Sequence, residues 1–410
     1  MNVEILTTLG TSSSGFAVAR RQTSRSINRQ TALNLIRTHQ PISRADLARK
    51  MHMQRASIGL LVTELLARGL VREEPKGPAT RGRKPTQLYL DLRGRCAVAV
   101  DMRTRQTSVA LTDLLGQELS PIESFPTNGN PQAFVTDLAR RIRRLLARHP
   151  DTGRCDGIGL AVPGMLDRWG NALVHAPGLG WRNVPLRRQL QAATGLTVRM
   201  ENSAKAAALA QLWDVRGPLP AGHIVFVNIT DGVGGGVAVD GGIFRGHHNI
   251  AGEFGHMPLN IDGPPCACGS HGCWETYVSD IATLSRYVGR PFQRNQQRSL
   301  ELADLSVSGL ATRARSGEAR ALSALLTTGR FLGQGLAGIV NTLDPVRIYL
   351  TGEIIDAWDL IESTVRTAFA ERVVAAVKPA TEIVAVGQVQ YPRLKGAAAL
   401  IGVAAFAEKA

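Results

Sequence analysis

AVAVDMRTRQTSVALTDLLG, residues 97–116, and IVFVNITDGVGGGVAVDGGI, residues 224–243, share one plan. Each runs apolar strand, polar turn, apolar strand, polar turn. A unit of this kind occurring twice in one chain predicts two related lobes facing each other across a cleft. Strands are expected at 96–100, 107–112, 157–162, 223–229, 235–239 and 346–350, with helical segments between them, which is an α/β texture.

Ahead of the first repeat the pattern changes. Residues 1–25 are polar and aperiodic and read as a disordered tail. Residues 28–38 place Ala32, Leu33 and Ile36 on one helical face, and Pro41 marks the turn that follows. Ser43 fits the N-cap of a short second helix, SRADLARK. A third carries Ile58, Leu61, Val62, Leu65 and Leu66 at i, i+3, i+4, i+7 and i+8, one continuous stripe, and Gly69 ends it. LVREEP and QLYLDL then read as two strands joined by the basic loop KGPATRGRKPT. Three helices and a hairpin make a winged helix-turn-helix, expected over residues 26–92.

Charge agrees with that reading. Residues 1–95 hold 17 Lys/Arg against 6 Asp/Glu, a net +11 out of the chain's +15, so the other 315 residues carry only +4. A block this basic suits a polyanion, because neutralising phosphates releases counterions. In a helix-turn-helix the second helix of the pair enters the major groove with its N-terminal residues at the base edges. Those residues are Gln54, Arg55 and Ser57, with Arg44 placed for phosphate and Arg81, Arg83 and Lys84 of the wing loop for a narrow minor groove. The loop would otherwise be a flexible basic linker. Helix-turn-helix proteins usually read half-sites in pairs, so a homodimer or homotetramer on a double-stranded operator is expected.

At 410 residues and 44% hydrophobic composition the chain can bury more than one core. No stretch approaches the eighteen apolar residues of a membrane span, and the N-terminus lacks the apolar core of a signal peptide, so a cytoplasmic location is expected. Three of the five cysteines fall within eight residues, in GEFGHMPLNIDGPPCACGSHGCWE (252–275). His256, Cys266, Cys268 and Cys273 offer three thiolates and an imidazole, the closed tetrahedral shell of structural zinc. His271 is a substitute ligand within the same loop. Cys96 and Cys155, in strand-like surroundings, read as core residues.

These residues resemble the ROK family, which comprises sugar kinases and repressors. The resemblance is carried by CxCGxxGCxE with the upstream GExGH, by DGVGGGVAVDGGIFRG, by VPGMLD and by ENSAKAAALA. It covers 95–410, and the front domain matches the repressor branch. It implies an actin-like, ribonuclease-H-like pair of lobes: 95–205, rejoined by a C-terminal helix at about 392–408, and 206–390 with the zinc loop. It also implies a sugar held by Asn202, Glu253, His256 and Glu275. Carboxylates and an amide suit vicinal hydroxyls, and a metal-bound imidazole offers its other nitrogen in one tautomer. Glu253 could instead cap a turn, and Asn202 a helix.

The family's kinases place a catalytic Asp immediately after the position of Asn202, where this chain has Ser203. A neutral hydroxyl cannot accept the substrate proton. The first turn, DxGGT-like in kinases, is Asp101, Met102, Arg103, Thr104 and Arg105, with side chains in place of both glycines. The late Gly-Gly turn is Thr351, Gly352 and Glu353. The expectation is therefore a repressor of sugar-utilisation genes without catalysis. A ROK kinase with residual activity, and a body that docks a transport protein without binding sugar, are the alternatives.

Overall fold

The computed structural model describes residues 21–75, 86–214, 222–239, 242–292, 304–374, 381–387 and 391–406. Helices α1 (Arg21–His39), α2 (Arg44–Met51) and α3 (Arg55–Ala67) precede the hairpin β1 (Val71–Pro75) and β2 (Thr86–Leu90), which pairs antiparallel with Val71 opposite Leu90. Ser43 caps α2 by accepting from the Asp46 amide. Ala32, Leu33, Ile36, Leu47, Ile58, Leu61, Val62, Leu65, Val71, Leu88 and Leu90 close one core. This is a winged helix-turn-helix.

The first helix corrects an expectation. It begins at Arg21, so residues 21–25, assigned above to the tail, are helical. Arg25 and Arg29 explain the extension, since both guanidiniums reach Glu64 on α3. Ion pairs between helices leave no mark on apolar periodicity.

The first lobe follows: β3 (Arg95–Met102), β4 (Gln106–Thr112), β5 (Glu123–Pro126), α4 (Pro131–Arg148), β6 (Arg154–Val162), a small sheet of β7 (Met165–Leu166), β8 (Leu173–Ala176) and β9 (Trp181–Val184), then α5 (Leu186–Thr194) and β10 (Val198–Asn202). Helix α6 (Ser203–Asp214) leads to β11 (His223–Ile229), β12 (Val233–Val239) and β13 (Gly242–Phe244). Then come α7 (Glu275–Val278), α8 (Asp280–Val288), α9 (Val307–Arg315), α10 (Ala319–Leu343), β14 (Arg347–Gly352), α11 (Trp358–Ala370), β15 (Glu382–Ala385) and α12 (Pro392–Phe406).

The strand orders are β5-β4-β3-β6-β10 and β13-β12-β11-β14-β15. In each, three strands form an antiparallel meander, a fourth pairs in parallel with the first of them, and a fifth pairs in parallel with the fourth. The duplication read from residues 97–116 and 224–243 is thus a duplication of whole sheets, and the body is the actin-like pair of lobes.

Packing around α6 is set by small residues. A Cβ on Gly234 would lie 2.6 Å from the Ala204 Cβ, and one on Gly236 2.7 Å from the Ala208 Cβ, so β12 lies against α6 at a distance only glycine permits. On its other side Ala206 meets Gly396 of α12, where an added Cβ would overlap the Ala206 carbonyl at 1.8 Å. Helix α12 in turn packs through Ala397 and Ala398 on Ala99, Ala110 and Ala161 of the first sheet. The alanine-rich sequence SAKAAALA is the counterpart of the glycine-rich β12. No helix among the described residues is long and apolar enough to cross a membrane.

Candidate effector cleft, metal centre and nucleic-acid interface

The segment after β13 folds back against β12. Gly235 faces Gly252, with the carbonyl oxygen of Gly252 2.3 Å from where a Cβ would stand, and Gly255 faces the carbonyl of Val233 in the same way. Glu253 and His256 are thereby fixed beside the strand. The Cys loop returns to the same place through Trp274, which is fully buried, donates its indole N–H to the Phe331 carbonyl at 2.9 Å, and sits in the space left by Gly335 of α10. Cys273 and Glu275, its neighbours in sequence, are held on the lobe's core by that anchor.

His256, Cys266, Cys268 and Cys273 converge, with ligand atoms all within 4.8 Å of one another. Cys266 Sγ lies 3.6 Å from His256 Nδ1, and Cys268 Sγ lies 3.7 Å from Cys273 Sγ. A tetrahedral shell of Zn–S bonds has edges of about 3.8 Å, so the donor set fits that ion. Burial and the neighbouring Glu275 carboxylate push the Cys266 thiol up, and Cys273 is raised by burial as well. Thiols in that environment stay protonated without a cation to take the thiolate. His271 is exposed and stands outside the cluster. Cys96 and Cys155 face each other across β3 and β6; a hydrogen bond from Cys155 brings the Cys96 thiol down to about 7.

Three of the four expected sugar residues stand at this centre. His256 turns Nδ1 toward the cysteines and lies with Nε2 3.9 Å from Glu253 Oε2, while Glu275 Oε1 is 3.8 Å from Nδ1 and accepts from Cys266 Sγ at 2.9 Å. Asn202 ends β10, and its amide is partly committed. Oδ1 accepts from the amides of Ala204 and Lys205 at the start of α6, and Nδ2 donates to the Gly164 carbonyl at 2.9 Å. The capping role considered for Asn202 is therefore real, and one amide hydrogen remains for a ligand.

Sequence reading missed what links Asn202 to the carboxylates. Lys205 is buried, donates to the Asn249 carbonyl and, at 3.1 Å, to its Oδ1, and lies in the field of Glu201 and Glu253. Burial lowers its ammonium below the ordinary lysine range despite those two carboxylates. Glu201, also buried, takes two guanidinium bonds from Arg245 at 2.9 and 2.6 Å. Both contacts pin residues 245–252, the approach to Glu253, onto the first lobe. A lone lysine in a run of alanines was the available signal.

The two turns compared above with kinase phosphate turns are occupied by polar contacts. Asp101 is 1% exposed and binds Arg103 Nε at 2.9 Å and Arg393 Nε at 3.5 Å, with Asp231 of the second hairpin adding its field at Arg393. Glu353 accepts from the Val307 amide at 2.9 Å and so caps α9.

On the winged domain, Gln54, Arg55 and Ser57 are exposed on the first turn of α3, and the Gln54 side chain does not cap the helix. Arg44, expected at phosphate, is partly exposed on α2, where its guanidinium bonds Glu73 of β1 at 2.7 Å and donates to the Gly59 carbonyl of α3 at 3.4 Å. Arg81, Arg83 and Lys84 lie outside the described residues.

A winged helix-turn-helix on a duplicated sugar-kinase-like body defines a class. The ROK family model matches residues 97–410, and the chain belongs to the ROK family. It is 29% identical over 349 residues to the xylose repressor of Bacillus spizizenii, covering 85% of this chain and 87% of that one. It is also 29% identical over 312 residues to a glucokinase of Streptomyces coelicolor, covering 74% and 96%. The crystal structure of a ROK family transcriptional regulator, a homolog of the E. coli MLC protein, superposes with a TM-score of 0.77 at 25% identity, over 94% of this chain and 97% of that one.

Proposed function

We propose that this chain is a sugar-responsive transcriptional repressor whose kinase-like body binds an effector and transfers no phosphate. The observation that carries the reading is the pairing of an exposed Gln54–Arg55–Ser57 turn with a body whose phosphate turn is filled by Arg103 and Arg393 on Asp101. Similarity to repressors across both domains supports it.

Glu253 and Glu275 accept hydrogen bonds from vicinal hydroxyls of the sugar, His256 donates through Nε2, and Asn202 contributes its remaining amide hydrogen. A structural zinc ion held by His256, Cys266, Cys268 and Cys273 fixes the imidazole tautomer and the loop. Ser203 opens α6 where a kinase of this family has its base, and a hydroxyl leaves the sugar unreacted.

Regulation needs different sugar affinity in DNA-bound and free states, typically about 1 to 3 kcal/mol of coupling. The lobes carry that difference from the cleft to the winged domain of a cytoplasmic homodimer or homotetramer on its double-stranded operator. A monosaccharide screen by thermal shift identifies the effector, because a ligand of the folded state raises Tm. Fluorescence anisotropy with a duplex selected from a random library then tests the output. The effector should change duplex affinity about 5- to 150-fold. No affinity for any duplex, or ATP-dependent phosphorylation of the sugar, would overturn the proposal and favour the kinase reading that the glucokinase similarity raises.

A further inference from the structure

Helix α3 has two apolar stripes, and only one serves the core. Ile58, Leu61, Val62 and Leu65 are buried. On the opposite side Ala56, Leu60 and Thr63, spaced i, i+4 and i+7, are exposed, and Leu60 is 74% exposed. Thr63 donates its hydroxyl to the Gly59 carbonyl at 2.9 Å, which commits its polar atom to the backbone and leaves its methyl as the uncommitted end. Gly59, between the two, has nothing within 4 Å of where a Cβ would be, so this side of the helix is open.

Such a stripe on a free surface costs solvation, and its setting selects what covers it. It continues directly from Gln54, Arg55 and Ser57, and residues 26–92 around it hold 12 Lys/Arg against 5 Asp/Glu, a net +7. Glu64, the acidic residue of α3, is turned to Arg25 and Arg29 and is thereby neutralised. A basic face with an apolar centre complements the major groove at thymine, where the C5 methyl is the one apolar group on a base edge. A second protein would meet the same positive field without that match.

We propose that Leu60, with Ala56 and Thr63, reads thymine methyl groups and so sets an A·T requirement in the operator next to the bases met by Gln54 and Arg55. The inference rests on the DNA-binding reading above. It specifies readout by van der Waals contact at the middle of the helix, in addition to hydrogen bonding at its first turn.

The test uses the full-length protein and a duplex it selects from a random library. Each thymine is replaced in turn by deoxyuridine, which keeps the base pair and removes only the methyl. For the wild-type protein, substitution at one or two positions per half-site should weaken binding about three- to tenfold, the scale of one buried methyl. Leu60→Ala should bind the thymine duplex about that much more weakly and show no further loss at those positions. Leu60 is too exposed for this change to unfold the helix, and the deoxyuridine scan on the unaltered protein stands independently of it. Uniform indifference of the wild-type protein to deoxyuridine, or equal sensitivity in Leu60→Ala, would overturn the proposal while leaving DNA binding intact. Failure to enrich any duplex would overturn both readings.

Discussion

The hairpins β3–β4 and β11–β12 hold the same place in two sheets of the same strand order, and their turns are built in opposite ways. The first carries charge at its turn, where Arg103 and Arg393 both pair with Asp101. The second has kept its glycines, and the structure gives the reason. Gly234 and Gly236 face Ala204 and Ala208 of α6, while Gly235 faces Gly252 and Phe254 on the other side of the strand. Steric closeness to two neighbouring segments is enough to require those glycines. A glycine-rich motif can therefore be required by packing alone, whatever chemistry it serves elsewhere.

That contrast can be broken most forcefully at Gly235. Its Cβ position is 2.3 Å from a carbonyl oxygen and 2.5 Å from the Phe254 ring, and neither can withdraw without moving the loop. Gly235→Val should destabilise the protein by about 3 kcal/mol or more in urea unfolding, whereas Arg103→Ala in the first hairpin, on a half-exposed ion pair, should cost less than about 1 kcal/mol. Similar costs at both sites would show that the two turns are not differently constrained.

Next in size is the charge in the first turn. Asp101→Ala removes the partner of Arg393, whose side chain is only 18% exposed. It should cost about 2 kcal/mol, and most of that should vanish in an Arg393→Leu background because no guanidinium is then left stranded. Thermal unfolding of the four variants of the cycle measures this; strict additivity would mean that the pair is not coupled.

Cys266→Ser addresses the loop that the second hairpin supports. Metal content by mass spectrometry should fall from one ion per chain, and effector affinity should drop roughly tenfold as His256 and Glu275 lose their fixed orientation. Unchanged metal content would remove Cys266 from the ligand set. The smallest expected effect is none. Ser203→Asp, alone or with Arg103→Gly and Arg105→Gly, should show no ATP-dependent sugar phosphorylation in a coupled assay, because Glu353 and the rest of the nucleotide surface remain unsuited. Turnover in any of these variants would mean that the first hairpin is closer to a working phosphate site than its ion pairs imply.

The sequence disclosed what periodicity and spacing encode. The two hairpins, the apolar stripe of α3 and the converging cysteines stand where their patterns place them, because strands of period two, helices of period 3.6 and a short glycine-rich loop constrain geometry locally. The meander edges β5 and β13 and the parallel edge strands β10 and β15 were not expected. Each is three to five residues long, too short for a period, and exists because a neighbouring strand pairs with it. Lys205 and the Glu201–Arg245 pair were equally silent: their meaning depends on residues 44 positions away. The outward stripe of Ala56, Leu60 and Thr63 is visible as letters, but periodicity alone does not say that Leu60 stands 74% exposed.

Arg37 of α1 is buried, donates to the Trp213 carbonyl, and stacks 4.6 Å above that indole, while Trp213 and Phe406 belong to the same apolar cluster as Leu33, Val71 and Leu90. The winged module thus has no interior of its own separable from α6 and α12. Cut free at the linker, it would carry a bare oily flank into water, and transplanted onto another sensor it would lack the surface that completes it. Exchange of readers between such proteins is limited to partners that bring, or already possess, a matching tryptophan end on the helix that follows Asn202.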